Sequence, residues 1–449
     1  MSLLFNYMSK KIDDTMMEKI VSLCKRRGFV YPGSEIYGGL ANSYDYGPLG
    51  VELKNNIKQA WWKYFIHSRD DMVGIDGGII LNPKVWEASG HLAHFKDPLV
   101  ECLKCHHRFR PDKLEDSSKC PDCGGKLTEP KMFSGMFKTF LGPVEEDAIV
   151  TYLRPETAQN MFIDFKNVLK STNKRIPFGI GQIGKAFRNE ITTGNFLFRM
   201  YEFEQMEIEY FIHPKSDWTK IFEEWVNYIH NFMDVIGLDR KKMKDHEIPA
   251  EERAFYSKRT IDMEYKFPFG QEELWAIAYR TDYDLSCHQQ HSGESLEYFD
   301  DITKEKYIPH VIEPTFGVDR TFLAVICEAY NEEKVDDEVR IVLKFKPQIA
   351  PYKIAVFPLL ANKEKLVKKA REIYDNLKKD FHCFWDDRGN IGKRYRYQDE
   401  IGTPYCITVD FDSLEKNDVT VRDRDTMKQE RVSIGELNDY FRKLLCQCD

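Results

Sequence analysis

The sequence predicts an α+β domain over residues 1–340, followed by a smaller α/β module over 341–449. Three observations carry this. Between Phe187 and Phe211, apolar and charged residues alternate on either side of a small-residue turn, which reads as a two-stranded hairpin. Two Cys-x2-Cys pairs mark a compact insert at 101–126. Past a polar joint, Asn331 to Val339, and the prolines Pro347 and Pro351, strand and helix patterns alternate for about 100 residues, an ordinary domain size.

In chain order, an amphipathic helix is expected over 13–27, ending at Gly28. The Gly- and Tyr-rich stretch Gly33 to Gly50 reads as loop and short strand. Leu49 to His67 carries apolar residues at helical spacing, Trp61 and Trp62 among them. A strand follows from Met72 to Leu81, closed by Asn82-Pro83, since Pro83 cannot donate to a ladder. From 149 to 211 strands and short helices alternate. A helical and charged insertion is expected over 213–260: a helix over 214–236 turns Trp218, Phe222, Trp225 and Ile229 inward, and the charged stretch 238–260 lies on the surface. Strands return at 260–282 and 307–316, and a helix runs from Asp319 to Tyr330. In the smaller module Tyr352–Pro358, Phe381–Trp385, Tyr405–Val409 and Asp418–Arg422 read as strands, and Lys363–Lys379 and Ser433–Leu445 as helices.

The chain has 449 residues, 42% of them hydrophobic and 13% aromatic, enough for full cores. Its net charge of −8 argues against coating nucleic acid non-specifically, although local basic patches remain open to a nucleic-acid partner. No stretch approaches the ~20 apolar residues that span a bilayer, so no membrane role is expected. Met1 to Lys11 lacks an apolar core with a cleavage site, so a cytoplasmic protein is expected. The eleven cysteines are read as reduced thiols apart from one cluster, and Cys446 and Cys448 as loose thiols at the tail.

That cluster is Cys102-x2-Cys105 and Cys120-x2-Cys123, with Pro121 and Gly124-Gly125 allowing a sharp turn. Each pair aims two thiolates at one tetrahedral ion, which points to structural Zn2+ with no open position for chemistry. In the hairpin, Arg188, Glu190, Arg199, Glu202, Glu204, Glu207 and Glu209 crowd among Phe and Met. A guanidinium stays charged and forks onto oxygens, so the arginines suit polyphosphate, while glutamates at period 2 suit an ammonium or a metal. A solvated charged face is the plainer alternative, but such a face usually avoids so many aromatics. Arg154-Pro155-Glu156-Thr157-Ala158-Gln159 suits a helix start, and Glu313-Pro314-Thr315-Phe316-Gly317-Val318-Asp319-Arg320 ends a strand and opens a helix.

Taken together, these runs resemble the class II aminoacyl-tRNA synthetases, and within them the bacterial homodimeric glycyl-tRNA synthetase family. The family's first signature, a long helix, a strand and a closing proline, is similar to Leu49–Pro83. Its second, Phe-Arg-x-Glu, a loop and Arg-x-x-x-Phe, is similar to Phe187–Phe203, and its third, Gly-x-x-Arg, to Gly317–Arg320. Gly39–Gly50, the Arg-Pro-Glu-Thr-Ala-Gln run, Phe203-Glu204-Gln205-Met206-Glu207 and Arg280-Thr281-Asp282-Tyr283-Asp284-Leu285 resemble the glycyl subtype. Gly389–Tyr395 with Asp399–Pro404 looks like the anticodon-binding domain of such enzymes.

The resemblance implies an antiparallel catalytic sheet flanked by helices, a zinc-binding insert and a C-terminal anticodon-binding domain. It also implies ATP with Mg2+, glycine, the acceptor end and anticodon of tRNA(Gly), and a homodimer as partners. Arg188 would hold the α-phosphate, and Arg199 and Arg320 the γ-phosphate. Phe203 and Arg320 would sandwich the adenine, Glu190 would accept from its amino group and Glu273 would help place Mg2+. Asn189, Phe198, Leu274 and Gly317 would line the nucleotide site. Glu156, Glu207 and Glu313 would cup the glycine ammonium, with Thr315 as a wall where many relatives have Ser. Phe203, Glu204, Gln205, Met206 and Gly317 would border the amino acid. Arg110 aligns with an arginine that takes the carboxylate, although the family usually has Ala where Pro111 stands. Any Cβ on the substrate would clash, so no editing domain is needed. Lys393, Arg394 and Arg396 with Tyr395 and Tyr397 would meet anticodon phosphates and bases.

Two rivals remain: a class II relative that activates another small amino acid, and a non-catalytic paralogue that binds tRNA or protein. The second would be expected to lose the phosphate arginines, and Arg188, Arg199 and Arg320 are all present.

Overall fold

The structure, a computed structural model, describes residues 16–446 apart from 112, 113, 115, 117, 145, 146, 192 and 193. The N-terminal leader, Cys448, the Cys446 side chain, and Asp112, Thr192 and Thr193 of the motifs above lie outside the described residues. Among these residues no helix is long and apolar enough to cross a membrane.

Seven strands form the main sheet: β1 (Met72–Ile75), β2 (Phe178–Phe187), β3 (Glu202–Ile212), β4 (Met243–Glu247), β5 (Arg259–Phe267), β6 (Gly270–Thr281) and β7 (His310–Gly317). Their order is β4-β5-β6-β7-β3-β2-β1. Neighbours are antiparallel except the edge pair β1 and β2, which runs parallel.

The residues of β3 give the sheet two unlike faces. Met206, Ile208, Tyr210 and Ile212 enter the main core with Trp61, Phe65, Trp225 and Phe316. Helices Pro48–Trp62, Trp218–Ile236 and Val318–Ala329 supply that core. Pro48 takes the first helical position, where a missing N–H costs nothing, and Leu49, Leu53, Ile57 and Trp61 recur every four residues on the buried side. Each such side chain contributes about 1.5–3 kcal/mol by leaving water. Asp217 caps Trp218–Ile236 by accepting from the Lys220 amide, and Gly237 ends it with φ 78°. The other face of β3 carries Glu207, Glu209 and Phe211. Phe211 packs on Phe165 and Phe178 beneath helices Ala158–Ile163 and Phe165–Thr172, so only part of this face is polar.

Three sequence expectations are corrected. Pairing in β1 stops at Ile75, and Pro83 opens a short helix, Pro83–Ala88, capped by the Asn82 side chain accepting from the Lys84 amide. Asn-Pro serves a helix start as well as a strand stop, and the cap decides between them. The charged stretch 238–260 lies mostly on the surface but is not all loop: Met243–Glu247 is the edge strand of the sheet, where exposed charges discourage further pairing. The polar joint is a hairpin, Tyr330–Val335 against Glu338–Leu343, turning at Asp336-Asp337 with Asp336 at φ 53°. The expected boundary at 340/341 falls inside its second strand.

The tail forms a five-stranded mixed sheet: β8 (Ile354–Pro358), β9 (Cys383–Trp385), β10 (Tyr405–Val409), β11 (Asp418–Asp423) and β12 (Gln429–Ser433), in the order β9-β8-β10-β11-β12. The segment before the last helix is thus a strand ending at Ser433, and the helix proper spans Leu437–Cys446. Hairpin and tail are joined through Asp399. It accepts from Arg340 Nε at 2.8 Å and from Arg422 Nη1 at 2.9 Å and Nη2 at 3.2 Å, all three side chains being buried. Replacing Asp399 with Ala leaves two buried guanidiniums without their shared anion. The expected loss is about 3–5 kcal/mol, read as an earlier urea unfolding midpoint.

Candidate functional site

The polar face of the sheet carries two adjoining cavities, and Arg188, Gln205, Glu273 and Thr315 line both. Three arginines line the first. Arg188 follows β2, Arg199 lies in the loop before β3, and Arg320 is in the first turn of Val318–Ala329. Arg188 donates to the Pro155 carbonyl at 3.0 Å and stands 5.3 Å from the Phe203 ring centroid. Arg320 donates to the carbonyls of Phe198 at 3.2 Å and Glu273 at 3.0 Å, pairs with the Glu273 carboxylate at 3.0 Å, and lies 4.4 Å over the Phe198 ring. These backbone acceptors fix both guanidiniums while leaving donors for a ligand. Glu190, Glu204, Glu273 and Asp319 set acids among these arginines, and Phe203, Leu274 and Gly317 also line the cavity.

The second cavity is acidic. Glu156, Glu207 and Glu313 line it with Thr315 and Tyr256. Arg154 positions Glu156 by donating to the carbonyls of Lys185 at 2.6 Å and Gly77 at 2.8 Å. A Cβ on Gly184 would lie 2.1 Å from that guanidinium, so glycine is required there. Glu207 accepts from the Thr157 amide at 3.1 Å, the Thr157 hydroxyl at 2.5 Å and the Thr315 hydroxyl at 3.0 Å. Glu313 accepts from Arg280 Nη1 at 2.6 Å, and Asp284 accepts from Arg280 Nε at 2.7 Å and Nη2 at 2.9 Å. His91 lies 3.3 Å from Glu156.

Burial opposes the charge on Glu156, but His91 and Arg280 outweigh it and hold this carboxyl below its ordinary value. Burial and Glu156 push Glu207 up. Burial also pushes Glu313 up, with Glu207 and Glu156 adding to the rise and Arg280 opposing it.

Not every expected residue joins the cavities. The glutamates of β3 change phase between 204 and 207, so they lie on opposite faces. Glu204 is held on the helix side by Lys54 at 2.8 Å and Lys58 at 3.0 Å and borders the first cavity from there, whereas Met206 is in the core and Glu202 pairs with Lys185. Asn189 lines neither cavity; its amide donates to the Gly135 carbonyl. Arg110 also lines neither, and pairs with Asp97 at 3.1 Å. In the tail, Arg394 is buried and donates to the Pro358 carbonyl, the Tyr395 hydroxyl meets Thr408, and Tyr397 lies under Arg27. Of that group, Lys393 is exposed and Arg396 half-buried.

Two features were missed. Arg280, quoted only as part of a motif, is fully buried among the acids; an arginine ending the apolar run Leu274-Trp275-Ala276-Ile277-Ala278 was the available signal. Tyr256, from the stretch read as an insertion, stacks at 3.8 Å on Arg280.

The four cysteine sulfurs lie within 4.8 Å of one another, with Cys102–Cys123 at 3.5 Å and Cys105–Cys120 at 3.6 Å. A tetrahedral ion bonded at ~2.3 Å requires sulfur separations of about 3.8 Å, so the set fits a metal. A Cβ on Gly125 would lie 2.8 Å from Cys102 Sγ, so the turn must be glycine. His106 and His107 are exposed and paired with Glu101 and Asp122.

Residues 144–330 match the tRNA synthetase class II core domain (G, H, P, S and T), and 353–444 the anticodon binding domain. The chain is 53% identical to the glycine--tRNA ligases of Lachnospira eligens, covering 95% of this chain and 98% of the relative, and of Acetivibrio thermocellus, covering 95% and 97%. It is 52% identical to that of Clostridium acetobutylicum, covering 96% and 98%.

His288 Nε2 lies 2.7 Å from the Gln159 carboxamide oxygen, and Gln159 in turn donates to Glu156 and Asp284. Burial pushes this imidazole down to about 4. The unfolded chain, with an ordinary histidine near 6.5, binds more protons between these values, so stability falls as pH drops through that window. The expected slope is up to ~1.4 kcal/mol per pH unit, and it should be shallower in His288→Gln when urea midpoints are compared from pH 7 to 4.

Proposed function

The chain belongs to the glycine--tRNA ligase family of class II aminoacyl-tRNA synthetases, and we propose from this premise that it activates glycine with ATP as glycyl-adenylate and transfers the glycyl group to tRNA(Gly). The observation that supports this most is the meeting of an arginine-lined cavity and a carboxylate-lined one at Arg188. A polyanion suits the first and an ammonium the second, so the bond to be made lies at their border.

In this reading the glycine ammonium sits between Glu156, Glu207 and Glu313, and its carboxylate extends toward Arg188. The carboxylate attacks the α-phosphorus and pyrophosphate leaves. Arg188 stabilises the charge that develops there, and Arg199 and Arg320 hold the γ-phosphate. Phe203 and Arg320 bracket the adenine and Glu190 takes its amino group. Magnesium, used by class II synthetases, screens the phosphates when bound, and Glu273, which lines both cavities, is the carboxylate that would hold it. The terminal adenosine hydroxyl of the tRNA then attacks the glycyl carbonyl and AMP leaves. A role for Arg110 at the carboxylate requires it to leave Asp97.

We place zinc on the four cysteines, two copies of the chain in a dimer, and the protein in the cytoplasm, where tRNA is charged. Exposed Tyr31, Ile36, Tyr37 and Leu40 support the pairing of copies. The anticodon loop falls to the tail domain, with Lys393 and Arg396 as its cations.

Pyrophosphate exchange tests the reaction. Exchange is expected with glycine and near silence with alanine; equal rates would sink the proposed pocket in favour of a broader small-amino-acid enzyme. Arg188→Ala should lower glycine-dependent exchange by about 10²–10³-fold or more while gel filtration stays unchanged. For the insert, metal analysis should find about one zinc per chain, and Cys120→Ser should lose it.

A further inference from the structure

Behind the acidic cavity, Glu207, Glu209 and Glu313 bring carboxylate oxygens within 4.8 Å of one another, all in buried side chains. Glu207 and Glu313 are engaged by hydroxyls, an amide and a guanidinium. Glu209 is not: it is 0% exposed, and neither oxygen has a hydrogen-bond partner. Gln182 on β2 stands opposite Glu207 in register, and it too is fully buried with both side-chain polar atoms unpartnered.

The charges facing Glu209 are Glu207 on its own strand, Glu313 on β7, Arg280 on β6 and Asp284 on the helix Tyr283–Ser292. Glu156 and its neighbour His91 stand beyond Glu207. Arg280 is the one guanidinium among these groups, and Glu313 and Asp284 already occupy it. Carboxylates this close cannot all remain ionised without a cation between them. With no donor at either oxygen, Glu209 is the member least able to carry a negative charge.

Resting on the reading of the cavity as an ammonium cup, we propose that Glu207, Glu209 and Glu313 share a proton while the cup is empty, that Glu209 holds it, and that the arriving ammonium drives it out. The ammonium adds the missing positive charge beside Glu207 and Glu313. Repulsion at Glu209 falls, its O–H bond breaks, and the proton passes to solvent. Burial and the charge on Glu313 hold the Glu209 carboxyl well above its ordinary value in the empty cup, in the same direction.

Calorimetric titration of the full chain with glycine near pH 7, in buffers of different ionisation enthalpy, counts the protons. About one released per glycine bound is expected. Glu209→Gln, of the same shape and unable to ionise, should bind glycine with no release. A second measurement needs no variant: the infrared difference spectrum of the unaltered chain should lose a protonated-carboxyl band on adding glycine. Glycine binding without buffer dependence, equal release from the variant, or a band that persists would each overturn the proposal while leaving the cup in place. No glycine binding at all would remove the cup itself, and the proposal with it.

Discussion

Arg280 leaves the end of β6 and is caught by Asp284 one helical turn later, while its remaining nitrogen reaches Glu313 on the neighbouring strand. Few buried guanidiniums serve so many anions, and the polar face of this sheet rests on that fact. Breaking such a buried pair typically costs about 3–5 kcal/mol, because the abandoned charge stays buried. Here removal would abandon several acids at once. Tyr256 and Phe162 close over the guanidinium at 3.8 Å and 5.2 Å, keeping water away and the contacts strong.

From Arg280 outward the face is graded in charge. Its deep end is apolar, around Phe178 and Phe211; the acids follow; then come Arg188, Arg199 and Arg320 at the open end. A sheet achieves this because side chains two apart on one strand share a face. On β3 the run Phe203, Gln205, Glu207, Glu209, Phe211 passes from the arginine-lined cavity to the acidic one to the core within one strand. The opposite face of the same strand is committed to the main core, with Asp319 joining it to the helices: this buried acid accepts from Lys54 at 2.8 Å and from the Glu204 amide at 2.7 Å. The sheet thus carries Gln205, Glu207, Glu273, Glu313 and Thr315, while Arg188, Arg199 and Glu156 come from segments between the regular elements.

Much of this was legible in the sequence. Local motifs with fixed spacing stay together in space: the cysteine pairs lie in one insert and the arginines around Phe187 and Gly317 line one cavity. Class II membership was legible through those motifs and agrees with the core and anticodon-domain matches. What was misread depended on pairing partners that no local pattern names. Met243–Glu247 looks like a solvated charge run until β5 is placed beside it. Glu204 and Glu207 look equivalent until the odd spacing between them is converted into opposite faces, one bordering the arginine-lined cavity beside Lys54 and the other the acidic cavity. Arg394 and Tyr395 look like a nucleic-acid patch, yet their hydrogen bonds run to Pro358 and Thr408 inside their own domain. Composition cannot tell a buried arginine from an exposed one; only the acceptors around it can.

The cup's rigidity bears on how the proposed enzyme could choose the smallest amino acid. Rejecting a methyl group by collision works only if the wall does not yield. Glu207 has one oxygen held by the Thr157 amide and hydroxyl and the other by the Thr315 hydroxyl, so it has no free rotation left to give. Thr157 belongs to the segment that Arg154 bolts to β2, and Thr315 lies on β7 directly opposite Glu207 in the ladder. A larger substrate would have to displace these held side chains, which are anchored on two neighbouring strands in the middle of the seven-stranded sheet. Exclusion by such a wall is steep, whereas a pocket built for alanine would have only weak means of refusing glycine.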